Sequence, residues 1–151
     1  MQARLLSKSV TEIFDDTLRP LGISSAQFVL LSVISQTGPT TRSQIARLQH
    51  LDKSTLTRNL RKIFSEGWIE EVRENADGRS RPIALTAAGN ELLVNGRPAW
   101  QAAQAQIAEL LGEDGEMALI SIADRVVNAM EGSSLPARDH DLALIDNETR
   151  A

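Results

Sequence analysis

The chain contains no cysteine. It can therefore form no disulfide, bind no metal through thiolates, and use neither a cysteine nucleophile nor a thiol redox sensor. With 151 residues it is one ordinary domain or two very small ones, and such a chain is long enough to bury a hydrophobic core without cross-links. The missing thiols thus exclude several classes of enzyme and sensor and still allow a stable fold.

Long apolar runs are also missing. The first residues hold no apolar block of signal-peptide length, and the longest apolar patch, Phe28 to Ile34, is far shorter than a membrane span. We therefore expect a soluble, cytoplasmic protein that has no membrane partner.

The residue sets that support catalysis are missing as well. The only histidines, His50 and His140, lie in different regions and lack the clustered carboxylates that a zinc site needs. The adjacent acids Asp15-Asp16 and Glu70-Glu71 point to different sides of a helix or strand, so they make poor acid–base pairs. The sequence has no Ser-His-Asp set and no phosphate-binding glycine loop. We therefore expect no enzymatic activity, no cofactor and no metal site.

Charge is distributed unevenly along the chain. The formal net charge is −4, yet the segment from Arg42 to Arg81 holds nine basic against six acidic residues. The remainder holds seven basic against fourteen acidic residues. This balance argues against general coating of nucleic acid and indicates one basic region on an acidic protein.

Apolar residues at helical spacing predict four helices in the first 67 residues. Each begins near a residue that favours the N-cap position or ends at glycine or proline. They are a helix over about Ala3 to Arg19 ended by Pro20 and Gly22, a second after Ser24 or Ser25 ended by Thr37-Gly38-Pro39, a third after Thr40 or Thr41, and a fourth from Asp52 to Gly67.

The residues after Gly67 predict a β-hairpin and further helices. The runs W-I-E-E-V-R-E and P-I-A-L-T read as strands joined by N-A-D-G-R-S-R, in which Asp-Gly is a strong turn signal. Thr86 starts a long helix, and Pro98 should kink it or begin a new one. Gly112 and Gly115 should break it before a last helix. The predicted fold class is mainly α with a small two- or three-stranded β-wing.

The third and fourth helices, separated by a brief break, predict a DNA-reading motif. In such a pair the second helix enters the major groove while the first crosses the backbone. Hydroxyls and arginines lie opposite the apolar side of the fourth helix, where Arg58 is suited to bidentate bonding with guanine. The start of the third helix adds Thr41 and Arg42. The candidate contacts on the fourth helix are Lys53, Ser54, Thr55, Thr57, Arg58, Arg61 and Lys62.

A hairpin directly after that helix would swing its tip toward the flanking DNA. Arg79, Ser80 and Arg81 are the candidate contacts there, because the minor groove attracts arginine. Asp77 would hold an arginine in position. The alternative is a local salt bridge between Asp77 and one arginine that touches no DNA. For the fourth helix the alternative is an ordinary solvated surface.

The chain resembles the MarR family of winged helix-turn-helix transcriptional regulators. The resemblance is carried by L-D-K-S-T-L-T-R-N-L-R-K-I, by the G-W-I-E that follows, and by D-G-R-S-R-P-I-A-L-T-A-A-G, and it extends from about Val10 to Met130. Two departures are Gly78, where arginine or lysine is common, and the missing cysteine of the peroxide-sensing branch.

This resemblance implies a homodimer with intertwined terminal helices that reads a pseudo-palindromic DNA operator. It implies a helical dimerisation region from residues 1–22 and 97–135 and a winged helix-turn-helix domain over 23–96. The polar composition of the last residues predicts a mobile tail over 136–151. Family members usually repress, and many release DNA on binding a phenolic or aromatic-acid effector. Phe14 and Trp100 are candidates to line such a pocket, although aromatic residues at helical spacing more often belong to the core or a dimer interface.

Two other functions stay open at this point. The winged helix could be a protein-interaction module that has no operator of its own. Loss of the basic wing residues would favour that function, and this sequence retains them. A small enzyme is the third possibility, which the missing catalytic residue sets disfavour.

Overall fold

The computed structural model describes residues 1–72 and 81–132. The predicted wing tip and the predicted mobile tail lie outside these residues. The chain divides into two compact units, residues 1–107 and 108–151. Within the described residues, no single helix is long and apolar enough to cross a membrane. One bent pair, Gln2–Leu21 and Ser25–Thr37, meets that length and composition only when both helices are taken together.

Helices and strands follow one another in the predicted order. They are α1 (Gln2–Leu18), a 3₁₀ turn (Arg19–Leu21), α2 (Ser25–Thr37), α3 (Arg42–Leu48), α4 (Lys53–Ser65), β1 (Ile69–Glu71), β2 (Ile83–Leu85) and α5 (Ala87–Glu131). The fold is mostly helical with a small antiparallel sheet, so the predicted fold class is confirmed.

Side-chain caps fix where α2 and α3 begin. The Ser24 hydroxyl accepts a hydrogen bond from the Gln27 N–H at 3.3 Å, and Gln27 Oε1 accepts one from the Ser24 N–H at 3.2 Å. Thr41 and Gln44 form the same reciprocal box. Such a box satisfies backbone donors that a helix leaves unpaired at its start. The first of the two candidate serines and the second of the two candidate threonines are therefore the caps.

Helix α5 passes Pro98 without ending. Its backbone keeps helical angles there, so the prediction that a new helix could begin at Pro98 is wrong. Pro98 lacks the N–H that would bond to the Val94 carbonyl, but both residues are exposed and water can hydrate that carbonyl. Gly112 does interrupt the helix with a φ of 68°, a conformation that glycine adopts without strain. The predicted break is therefore confirmed at Gly112.

The core of the first unit draws side chains from every α-helix and from both strands. Helix α4 contributes Leu56, Leu60 and Ile63, and burial of each such side chain is worth about 1.5–3 kcal/mol. That side of α4 is thereby fixed, and its opposite side is left to solvent. The buried apolar residues are Leu18, Ile23, Phe28, Leu30, Leu31, Ile34, Ile45, Leu56, Leu60, Ile63, Ile69, Ile83, Leu93, Trp100 and Ala103.

The hairpin is anchored beside the start of α3. Strands β1 and β2 pair antiparallel, with Ile69 opposite Leu85 and Glu71 opposite Ile83. The Thr40 N–H donates to the Ile83 carbonyl at 2.9 Å, and the Ile83 N–H donates to the Thr40 carbonyl at 2.7 Å. This bridge adds a one-residue third partner to the sheet and holds the base of the wing next to α3.

The stretch L-T-A-A-G fastens α5 to the end of α4. The Thr86 hydroxyl donates to the Gly67 carbonyl at 2.6 Å and accepts the Gly89 N–H at 3.1 Å. The Thr86 N–H donates to the Trp68 carbonyl at 3.1 Å. Gly89 approaches so closely that a Cβ would lie 2.0 Å from the Trp68 carbonyl oxygen. These contacts explain why this stretch has threonine at position 86 and glycine at position 89.

Candidate nucleic-acid interface

The solvent side of α4 carries a continuous polar and basic stripe. A concavity on this side is lined by Lys53, Ser54, Thr57, Arg58 and Arg61, which we call the α4 stripe. The five residues recur at spacings of one, three and four, so they lie along one side of the helix. The structure thus brings together five of the seven residues predicted on this helix.

Thr55 and Lys62 lie off the α4 stripe. At about 100° per residue they are rotated by roughly 110–130° from its centre. The Thr55 hydroxyl donates to Asp52 Oδ2 at 2.6 Å, and the Lys62 ammonium pairs with Glu66. Both side chains thus have partners within the protein. Their predicted contacts with DNA stay predictions.

Asp52 organises the first turn of α4. Its carboxylate accepts hydrogen bonds from the Thr55 hydroxyl, from the Thr55 N–H at 2.9 Å and from the Ser54 hydroxyl at 2.8 Å. These bonds hold the pKa of Asp52 far below its usual range, so the group stays ionised. A carboxylate at this end also complements the positive end of the helix dipole. The Ser54 proton is used inside the protein, so the Ser54 oxygen can serve a ligand only as an acceptor.

Glu71 joins two of the predicted contact arginines. Its Oε1 accepts a hydrogen bond from Arg42 Nη2 at 2.9 Å, and its Oε2 accepts one from Arg81 Nη1 at 3.2 Å. The Arg42 guanidinium also lies 5.5 Å from the centre of the Phe64 ring. The hydrogen bonds from Arg42 and then Arg81 lower the pKa of Glu71, so the carboxylate stays charged. We call Arg42, Glu71 and Arg81 the bridging triad.

Glu71 was not among the predicted contact or support residues. The expected arginine partner was Asp77, whereas the described partner of Arg81 is Glu71. The signal that could have found it is strand register. Glu71 lies opposite Ile83, and Arg81 is two residues from Ile83, so the two side chains are diagonal neighbours. The predicted wing residues Asp77, Arg79 and Ser80 lie outside the described residues, and their roles stay predictions.

Phe14 and Trp100 belong to an aromatic cluster of the first unit. Their ring centroids are 4.2 Å apart, and Trp100 stacks on Phe28 at 5.1 Å. Trp100 is only 7% exposed, as expected of a core residue. Its indole N–H is buried and has no hydrogen-bond partner among the residues that the structure describes. Most buried polar groups do find one. The assignment of these residues to an effector pocket stays a prediction.

Helices α2 to α4 followed by the hairpin form a winged helix-turn-helix domain, with the α4 stripe on the face that such domains turn to DNA. Residues 23–80 match the model of the MarR family. The resemblance to the MarR family is thereby confirmed over residues 23–80.

Curated relatives match over part of their length. The uncharacterized HTH-type transcriptional regulator YwoH of Bacillus subtilis is 30% identical over 84 residues, which are 56% of this chain and 58% of that protein. The HTH-type transcriptional repressor Mb2911 of Mycobacterium bovis is 30% identical over 90 residues, which are 60% of this chain and 65% of that protein. The match thus spans about three fifths of these relatives. Both are named as regulators of transcription, in agreement with the expectation of no enzymatic activity.

Solved structures share the fold over most of the chain. A mutant MarR from Escherichia coli complexed with operator DNA has a TM-score of 0.75 and 23% identity, and the match covers 83% of this chain and 90% of that one. The Staphylococcus aureus MepR–DNA complex has a TM-score of 0.73 and 18% identity, with coverage of 85% and 95%. These likenesses establish the common fold.

Proposed function

We propose that this chain is a transcriptional regulator that binds double-stranded DNA in a sequence-specific manner. The observation that carries the proposal is the α4 stripe, which gathers three cationic and two hydroxyl side chains on the free side of a helix whose other side is buried. The major groove of B-DNA admits one helix, and these side chains are suited to bases and phosphates. The DNA complexes of Escherichia coli MarR and Staphylococcus aureus MepR support the same use of this fold.

The stripe divides into two kinds of contact. Arg58, in the middle of the stripe, is suited to a guanine edge, while Arg61 lies one turn farther along and is suited to a phosphate. Ser54 and Thr57 add short polar groups near the base edges. The other predicted residues would contact the DNA backbone or the minor groove: Lys53, Lys62, Thr41, Arg42 and the wing arginines Arg79 and Arg81. Asp77 would support the wing, and Thr55 and Ser80 would add hydroxyl groups.

The second unit favours a homodimer. Large exposed apolar side chains recur along the helix after Gly112, and a soluble protein rarely leaves such a surface uncovered. We assign residues 1–22 and 97–135 to the dimerisation region. A two-fold dimer would present two α4 helices to half-sites about 10 base pairs apart in a pseudo-palindromic operator. The large exposed apolar residues in the described part of this unit are Leu110, Met117, Ile120, Ile122, Val126, Val127 and Met130.

Repression and release by a small effector complete the proposal. Mb2911, a relative of this chain, is named a repressor. An effector that binds one arrangement of the dimer better would shift the population toward it, and a changed spacing of the two α4 helices would no longer match the half-sites. The unpartnered indole N–H of Trp100, beside Phe14, suits an acceptor group such as the carboxylate of an aromatic acid. Phe14 and Trp100 are therefore the pocket residues that we propose.

Substitution of two stripe arginines tests the division of contacts. Arg58→Ala should cost about 1–3 kcal/mol on the preferred duplex and blur discrimination at one base position. Arg61→Ala should weaken binding to all duplexes alike and reduce the salt slope by about one. Fluorescence anisotropy with the preferred duplex, its single-base variants and a random duplex at two salt concentrations measures both effects.

Arg19→Ala is the matched control for these substitutions. Arg19 is exposed and pairs with Asp16 at the end of α1, away from the α4 stripe. Arg19 lies outside the winged domain, so its removal should leave base discrimination and the ratio of preferred to random affinity unchanged. Equal losses on the preferred and the random duplex for Arg58→Ala would contradict the base-reading role of Arg58.

A further inference from the structure

A carboxylate sits among the predicted DNA contacts, and this requires an explanation. Glu71 repels phosphates, yet it lies between Arg42 and Arg81, which are both expected to face them. The Glu71 side chain is 32% exposed, so DNA at this edge would sense its charge. Such a residue weakens DNA binding unless its contacts with the two arginines benefit binding in another way.

The bridging triad connects three elements of the winged domain. Arg42 begins α3, Glu71 ends β1, and Arg81 lies just before β2. The Arg42 guanidinium lies over the ring of Phe64, near the end of α4. Each arginine gives one of its five N–H donors to Glu71 in the bonds described above, so donors remain for phosphate oxygens. The base of the wing is thereby linked through side chains to both helices of the DNA-reading pair.

We propose that Glu71 is a positioning residue that holds Arg42 and Arg81 at a fixed separation and so sets the place of the wing relative to α4. This inference rests on the proposed function. When the two guanidiniums are held in place, α3 and the wing contact the DNA backbone at a fixed distance from the bases that the α4 stripe contacts. Phosphate contacts of this kind fix the register of a protein on its site. Glu71 thus raises the affinity for DNA whose base sequence matches that register, relative to the affinity for other sequences.

The test compares Glu71→Gln with Glu70→Gln. Both substitutions remove one negative charge from β1, but neighbouring residues of a strand point to opposite faces, so only the first breaks the triad. Removal of charge alone should raise affinity for every duplex. Loss of the triad should lower the ratio of preferred to random affinity by about fivefold, the size expected of two partly exposed ion pairs. Glu70→Gln should leave that ratio unchanged.

A second readout needs no DNA. The Val72 N–H donates to the Pro82 carbonyl at 2.8 Å and the Ile83 N–H to Thr40 at 2.7 Å, and these bonds flank the triad. Hydrogen exchange at Val72 and Ile83 should accelerate in Glu71→Gln and stay at the wild-type rate in Glu70→Gln, with the melting temperature of the chain little changed.

The two readouts separate the inference from the function on which it rests. If the wild-type chain prefers no duplex, the proposed function fails while the exchange comparison still reports on the triad. Equal exchange in the two variants would overturn the positioning role. Faster exchange in Glu71→Gln with an unchanged affinity ratio would overturn its link to DNA specificity.

Discussion

Gly89→Ala is expected to destabilise the winged domain by about 2 kcal/mol. Forcing extra volume into a packed site costs about 1–3 kcal/mol and occasionally more, whereas alanine in place of glycine returns about 1 kcal/mol of helix propensity. The large end of the range applies here, because the new methyl group would lie 2.0 Å from the backbone oxygen of Trp68, and backbone yields less readily than the tip of a side chain. Urea unfolding followed by circular dichroism measures the loss.

The same substitution at Gly115 is the control. A Cβ at Gly115 would meet its nearest neighbour, Leu111 Cβ, at an ordinary 3.4 Å. Gly115→Ala should therefore stabilise the chain by about 0.5–1 kcal/mol or leave it unchanged. Equal stability of the two variants would contradict the close contact between α5 and the end of α4.

Two glutamates on the exposed apolar side of the second unit are expected to separate the proposed homodimer. Ile120 and Val127 are 55% and 39% exposed and lie two turns apart on one side of the helix. In a covered interface the paired substitution Ile120→Glu with Val127→Glu would bury two unpaired charges, which is strongly unfavourable. Sedimentation should then find a monomer. Affinity for a full operator should fall on the order of 100-fold or more, because the second half-site no longer adds to the first.

Ser121→Glu with Asn128→Glu is the matched control. It adds the same charge at the same spacing, but at exposed positions rotated by about 100° from the apolar pair. This variant should stay dimeric and bind as wild type does. Dissociation of both variants, or of neither, would contradict the assignment of this surface to the dimer interface.

The local features of the fold were predictable from the sequence because their causes are local. Ser24, Thr41 and Asp52 begin helices through bonds to the next turn, and Gly112 breaks a helix through its own backbone freedom. The stripe on α4 followed from helical periodicity alone. A proline in a helix also has a local effect, but whether it ends the helix depends on solvent access to one carbonyl, which is why no new helix begins at Pro98 although the sequence allowed one.

The features that the sequence did not yield depend on how elements meet. Glu71 faces Arg42 and Arg81 only in the observed register of the hairpin, and a shift by one residue would turn Glu71 to the other face. The sequence identifies these residues as polar, but only the structure assigns their hydrogen-bond partners.

The most direct test of the central claim is selection of bound duplexes from a random library by the purified chain at physiological salt, followed by anisotropy on the recovered sequences. The account predicts enrichment of an inverted repeat with half-site centres about 10 base pairs apart, bound tightly and with a steep salt dependence. Recovery of unrelated sequences that bind weakly and no better than a scrambled duplex would contradict it.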